Sequence, residues 1–539
     1  MMNVHKLKLI LIYMTTLTAL SWPTVAAEVT ELQALIDEAI STQQAELVIS
    51  PGRYLQDATL RLEDVQNLKI LAKDVTLVMT EFVPALALKQ AQQVTVTGLT
   101  IDYDPLPFTQ GTITAIDREK GILSFAIHDG YPDLDGEYAV NRLHVFDGKT
   151  REWKRGAPDI YGTCKVLSLR SGQLTTTGNI DAIMVGDLVC LNVRKCAGVI
   201  LSKGTQDNCF EGVTILTAPG LGIMGRFGMG GDRFTVRIDR GPAPEGATEQ
   251  RLMSTCADGL NYAYVRKGPI LDGCDFAWMG DDSINFHSAA MPVYKWLDEK
   301  TLLTFRPHGG EGYPEVVKAG DPIRFLKHES FDILGFSTIT SLKEVEIPEP
   351  PVQADVTTYF PVYRNRTEGQ HRSTVYRISL AEPVAGIEEG DFFDLPSVGC
   401  ASFEIKNCYF HDHRARGVRL MASQGKILNC RFERIKHAGL SIGPEYAYWR
   451  EAGWVSEVTI KGNHFSDIGT GFHVSHASMA YAPAAISIIG PPASNPGSSH
   501  ILIEENTVEN CHLTILQEPT DHVPLTGNTI LSSTMTDKP

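Results

Sequence analysis

Between Cys256 and His287 the chain reads CADGLNYAYVRKGPILDGCDFAWMGDDSINFH, and its carboxylates are the groups best suited to chemistry. Asp258 follows Cys-Ala, and the adjacent pair Asp281 and Asp282 comes later, 23 residues separating Asp258 from Asp281. One coil of a right-handed parallel β-helix takes roughly 20 to 29 residues, and residues one coil apart stack about 4.8 Å from each other. On such a fold Asp258 and Asp281 become neighbours in space. An acid, a base and a charge partner at one spot are what hydrolysis of a glycosidic bond requires. Crowded like charges raise at least one carboxyl above its ordinary value of about 3.9, so one member can stay protonated while another acts as base.

Consecutive residues on a strand face opposite sides, so Asp281 and Asp282 reach one cleft only if the chain bends there, and Gly280 permits it. Around the trio, His287 either bonds a sugar hydroxyl or orients an Asp. Arg414, Arg416 and Arg419 follow in Arg-Ala-Arg-Gly-Val-Arg, and Arg416 is the substrate-binding candidate, since guanidinium groups bind hydroxyls and hold carboxylates. Glu445, Trp449 and Glu451 combine acceptors with an aromatic platform for the apolar face of a sugar, with plain packing the rival for Trp449. Asp272 and Asp275 read as turn and surface acids, and Asp102 and Asp104 as shapers of an Asp-Tyr-Asp-Pro turn.

The elements that must position these groups are short strands in repeats. Leu32, Leu35, Ile36 and Ile40 give one apolar helical face that suits a cap on a solenoid. From Leu47 onward short β-branched runs recur every 20 to 25 residues or so. Beyond residue 400, Asn407, Asn429, Asn463, Asn506 and Asn528 each follow an apolar run, and such Asn tolerate left-handed geometry and pair with their equivalents in a ladder. Cys209, Cys408 and Cys430, each after an Asn, read as inward slots where a thiol packs as a small hydrophobe rather than as a disulfide framework. Alternating stretches near 111–127 and 186–193, and again near 302–326 and 375–394, read as antiparallel insertions.

The expected division is a leader over 1–27, a cap helix and first coils over 28–107, one inserted β-domain over 108–195, and the acid-bearing coils over 196–289. A second insert over 290–398 and closing coils over 399–539 complete it. The leader reads as a secretory signal, with Lys6 and Lys8 before an apolar run and Val25-Ala26-Ala27 at its end, so the product is expected to be exported. Removing it takes two lysines and no acids, moving the formal charge from −16 to −18. That balance disfavours nucleic acid, and no later apolar run is long enough to span a membrane. The sequence allows a homo-oligomer without specifying one.

Five motifs in order, Ile101-Asp-Tyr-Asp-Pro-Leu-Pro-Phe-Thr-Gln-Gly, Ala257-Asp-Gly, Met279-Gly-Asp-Asp-Ser-Ile-Asn-Phe-His, Arg414-Ala-Arg-Gly-Val-Arg-Leu and Trp449-Arg-Glu-Ala-Gly, resemble glycoside hydrolase family 110. These are the bacterial α-1,3-galactosidases. The resemblance implies an all-β fold, a right-handed parallel β-helix with two inserted antiparallel β-barrel-like domains. It implies exo-acting, inverting release of terminal α-1,3-linked galactose from glycans such as blood group B or linear αGal structures, with neither cofactor nor metal. It points to Asp258, Asp281 and Asp282 as the acidic cluster. The chain departs from the expected pattern at Gly280, Ser283, Phe286 and Ser288, which leaves the acids intact. Inversion asks for roughly 6.5 to 9.5 Å between acid and base. The expected roles are Asp281 as general acid, with Asp258 and Asp282 holding and deprotonating the water.

Three rival functions use the same scaffold. A polygalacturonase-like hydrolase would share the acids, but no Arg-Ile-Lys element for a uronate follows them. A calcium-dependent lyase would use the acids as oxygen ligands, and a non-catalytic β-helix protein would only bind glycans.

Overall fold

The computed structural model describes residues 31–307, 312–364, 373–469, 483–489, 498–518 and 525–531. The leader read over 1–27 lies outside the described residues. The described residues open with the helix Glu31–Ser41, which buries Leu32, Ile36 and Ala39 against the first coils. Leu35, expected on that face, is 40% exposed, because the buried stripe runs through Ala39 instead.

Among the described residues, two long parallel sheets of twenty and ten strands wind into a right-handed β-helix, and Glu451–Ala452 adds one antiparallel pairing to the second. Inward positions carry Leu, Ile, Val and Phe, and residues one coil apart pair in register. Phe276, Phe410, Phe432 and Phe465 stack ring on ring with centroids 5.6, 5.0 and 4.7 Å apart, which ties each coil to the next.

Beside the rings runs a polar column whose chemistry changes along its length. Cys274, Cys408 and Cys430 occupy one inward slot in successive coils, and Asn463, Asn506 and Asn528 continue it. Asn506 donates to Asn528 Oδ1 at 3.0 Å, and Asn463 to Asn506 Oδ1 at 2.9 Å. Asn407 and Asn429, grouped with them by the sequence motif, instead sit in left-handed turns at φ 56° and 54°. Cys209 also departs from the expected inward slot. It directly precedes inward Phe210, whereas Cys408 and Cys430 lie two residues before Phe410 and Phe432, so alternation turns Cys209 outward. All ten cysteines are unpaired in the structure.

The coil is interrupted twice. A seven-stranded antiparallel sheet occupies Phe108 to Asn192, and another occupies Met291 to Asp394. Among the described residues, each sheet's hydrogen-bonded order runs from edge to edge rather than closing. Each insert's apolar core continues into the coil. The first joins Leu252, Met253, Cys256, Ala277 and Trp278, and the second joins Phe227, Ala263, Tyr264 and Ala289. These anchor points lie on either side of the carboxylates.

Candidate active site

The acids stand in turns just ahead of strands. Asp258 precedes Leu260–Ala263, and Asp281 and Asp282 precede Ile284–Ala289. Those strands pair Leu260 with Ile284 and Asn261 with Asn285, an offset of 24. The residue directly one coil above Asp258 is therefore Asp282, not Asp281 as the 23-residue spacing suggested. The next pairing, Ile284 with Val418, places Arg416 above Asp282. Asp258, Asp282 and Arg416 form one column, and Asp281 stands beside it.

Because the pair lies in a turn, strand alternation does not separate its side chains. Gly280 serves this turn through close approach rather than through a left-handed backbone. A Cβ there would meet the Cys256 carbonyl oxygen at 2.6 Å and Met253 Cε at 2.8 Å.

One oxygen from each acid lies within 4.8 Å of the others. Arginines neutralise them unequally. Asp281 takes Arg194 Nη2 at 2.5 Å on one oxygen and Arg414 Nη2 at 2.8 Å on the other. Arg414 also donates from Nε to the Gly280 carbonyl at 2.7 Å and pairs with Asp159 of the first insert. Asp282 accepts from the Arg416 backbone N–H at 2.8 Å, with Arg416 Nε 3.0 Å away. Asp258 has no arginine contact at that range among the described residues and accepts from Asn261 Nδ2 at 2.7 Å.

Proton affinities follow. Burial and then the charges of Asp281 and Asp282 raise Asp258 well above the usual carboxylate range. Burial raises Asp282, against Arg416 and with the help of Asp281, to about 6. Burial also acts on Asp281, but Arg414, Arg194 and Arg416 outweigh it and hold that carboxyl well below its ordinary value. The two guanidiniums on Asp281 therefore oppose the proton that its expected role as general acid requires, whereas burial beside two like charges favours a proton on Asp258. A divalent cation at the trio would have to compete with three guanidiniums for oxygens they already engage.

A cavity of about 330 Å³ opens beside this column and holds Arg226, Asn261, Tyr264, His287, Arg306 and Glu451 among its lining. It reaches the trio through Asn261, whose amide joins the cavity wall to Asp258. Among the expected residues, His287, Trp449 and Glu451 line it. His287 bonds the Ser288 carbonyl through Nδ1 at 2.7 Å and lies 4.0 Å from Glu451, and burial lowers its pKa to about 4. Asn285 donates to Glu451 at 3.2 Å. Trp449 keeps 47% of its surface exposed at the rim, which fits a platform better than packing.

Two expected binders act differently. Glu445 is spent on the loop itself, accepting the backbone N–H of Tyr448 at 3.1 Å and of Trp449 at 2.7 Å, so it braces Trp449. Arg416 faces Asp282 instead of the cavity. Arg419, in register with Asn285, is fully buried, yet its Nε and Nη2 and Asn285 Oδ1 have no partner among the described residues. Those atoms supply unused hydrogen-bonding capacity between Asp282 and Glu451.

Sequence reasoning missed Arg226, Asn261, Tyr264, Arg306, Arg194 and Asp159. Register was the available signal for the first two. Arg226 pairs with Ala263, which pairs with His287, and Met224 pairs with Asn261. Arg306 and Asp159 come from the inserts and Arg194 from the segment just after the first, and no repeat spacing carries them. A larger cavity of about 760 Å³ lies within the second insert around Tyr294, Leu303 and Glu346 and contains none of the candidate residues.

A family model described as "Right handed beta helix region" matches residues 393–489. An alpha-1,3-galactosidase A of Bacteroides fragilis is 22% identical over 535 residues, covering 89% of this chain and 80% of its own. An alpha-1,3-galactosidase B of Phocaeicola vulgatus is 23% identical, covering 88% and 80%. Among solved structures, the mannuronan C-5 epimerase AlgE4 A-module of Azotobacter vinelandii is similar at 10% identity and a TM-score of 0.34, covering 95% of this chain and 96% of its own.

Proposed function

We propose that this chain, a glycoside hydrolase belonging with the bacterial α-1,3-galactosidases, removes terminal α-1,3-linked galactose from glycans by an exo-acting, inverting mechanism. The carrying observation is the unequal pairing of three adjoining carboxyls: among the described residues Asp281 is held by two guanidiniums, Asp282 is capped by Arg416, and Asp258 has no arginine at that range. Relatives named alpha-1,3-galactosidase, matched over most of the chain, support the sugar and linkage.

In this reading Asp258 protonates the glycosidic oxygen, and the C1–O bond breaks with its electron pair staying on the leaving group. A water attacks C1 from the opposite face and gives its proton to Asp282, which is ionised at neutral pH. Asp281 remains an anion throughout. It keeps the proton on Asp258 and faces the positive charge that develops at the anomeric centre. The products are β-galactose and the shortened glycan, and release of the Asp282 proton and reprotonation of Asp258 close the cycle. The small cavity suits a chain end rather than a threaded polymer, which supports exo action. Export belongs to the same proposal, and sequencing the N-terminus of the secreted product tests cleavage after Ala27.

One observation favours a second stereochemistry. Oxygens within 4.8 Å of each other are nearer than the separation of about 6.5 to 9.5 Å usual for inversion, and closer to that of retaining enzymes. Proton NMR of the first product from galactose-α-1,3-galactose and its fucosylated counterpart decides. Initial β-galactose supports inversion, and initial α-galactose overturns it. Hydrolysis of polygalacturonate with no action on either galactoside would replace the galactosidase reading altogether.

A further inference from the structure

Among the described residues, the cavity beside the acids holds more positive charge than its carboxylates balance. Arg226 donates from Nη1 to the Gly225 and Asn261 carbonyls at 2.7 and 2.9 Å, and from Nη2 to Asn261 Oδ1 at 2.7 Å. All of these acceptors are neutral. Arg306 bonds the Tyr264 hydroxyl, and its buried Nε has no partner among the described residues. Both guanidiniums flank one ring, 5.9 and 4.9 Å from the Tyr264 centroid. Among the described residues neither makes a salt bridge, in contrast to Arg194, Arg324 and Arg414, which are each matched to a carboxylate.

Among the described residues Glu451 is the one carboxylate in the lining, and it is engaged by Asn285 and faces His287. Asp258 adds no negative charge while it holds its proton, and His287 is neutral at working pH. Two largely enclosed guanidiniums therefore share the lining of an open space with one described carboxylate. Removing a guanidinium from water without an anion is costly, and in a folded protein such a group ordinarily has a partner. A planar fork of N–H donors matches the oxygens of a sulfate ester or a carboxylate.

We infer that the cavity binds a galactosyl unit carrying an oxyanion substituent, held by Arg226 and Arg306. The inference rests on the galactosidase reading and narrows its substrate class to anionic galactosides. The amide of Asn261 sets the geometry. It bonds Arg226 on one side and Asp258 on the other, so the anion and the proton donor lie on opposite sides of one side chain. A substituent anchored at Arg226 thereby fixes where the glycosidic oxygen meets Asp258.

The test compares kcat/KM on galactose-α-1,3-galactose with that on the same disaccharide bearing a 2-, 4- or 6-O-sulfate on its terminal ring, and on the corresponding α-galacturonide. At least a tenfold preference for one anionic substrate is expected. The sulfated and uronide arms identify which oxyanion is bound. R306Q is expected to lower the ratio of anionic to neutral kcat/KM at least tenfold, with circular dichroism confirming the fold. If the neutral disaccharide is hydrolysed as well as or better than every anionic one, or R306Q affects both equally, the inference falls and the galactosidase reading stands. If no galactoside is cleaved, both fall. An R226Q variant tested in the same way guards against misfolding of the first.

Discussion

In the strands Leu60–Glu63 and Leu86–Lys89, inward leucines alternate with outward residues, and Arg61 and Lys89 meet solvent. Further along the same sheet, Leu260–Ala263 and Ile284–Ala289 keep that alternation, yet every residue in them is buried. Backbone and register are alike in both places. The difference is the cover: two inserts lie over the outward face of the later coils and leave the earlier ones bare. A parallel coil places polar groups at fixed spacing, and only where that face is also dry do the charges interact strongly enough to separate three carboxyls into different protonation states.

Changes to the covered and bare regions should therefore differ sharply in effect. The largest loss is expected from D258N or D282N, which should lower kcat by about 10²- to 10⁴-fold with the fold intact by circular dichroism. A variant of either with near-normal turnover would remove that acid from the chemistry. R414M strips a shared partner from Asp159 and Asp281, and breaking a buried pair costs about 3 to 5 kcal/mol, measurable by denaturant unfolding. The same variant should reduce turnover, because Asp281, freed from one guanidinium, then competes with Asp258 for the proton.

G280A should cost about 1 to 3 kcal/mol, since its Cβ has no room at the Cys256 carbonyl, and the same unfolding assay reads it. The pH profile should be bell-shaped. kcat/KM rises with pH as Asp282 loses its proton near 6, dropping about tenfold per unit below that, and it falls again at high pH as Asp258 ionises. A profile flat from pH 5 to 7 would exclude Asp282 as base. At the bare end, R61A and K89A should change stability by no more than about 0.5 kcal/mol and leave turnover alone. A large activity loss there would erase the contrast.

The repeat, the insertions and the acid trio were legible because each leaves a local mark. Apolar runs at coil spacing mark the helix, and Asp-Gly with Gly-Asp-Asp marks the acids. Register was legible only to within a residue. Counting from Asp258 reaches Asp281, but the strands pair at 24, and turn length is set by packing against Cys256 and Met253, which spacing does not record. The phase of Cys209 failed for a related reason, since one residue fewer before the phenylalanine turns the side chain to the other face. The roles of the acids were not legible either. Asp281 is kept ionised by Arg194 and Arg414, which lie 87 and 133 residues away in sequence. Arg194 reaches it from just beyond the first insert, and Arg414 from the next coil, which the second insert separates from it in sequence.

The first insert is also fastened to a coil made much later. Trp153 donates from Nε1 to the Asp412 carbonyl at 2.9 Å, and Asp159 pairs with Arg414. A chain emerging from the ribosome has its first insert and all three carboxylates in hand long before residues 412–416 appear. Until then Asp281 has only one of its two arginine partners, and Asp282 lacks its cap. A nascent or prematurely terminated chain ending before Asp412 is thus expected to be catalytically silent, which assay of such a truncated chain checks.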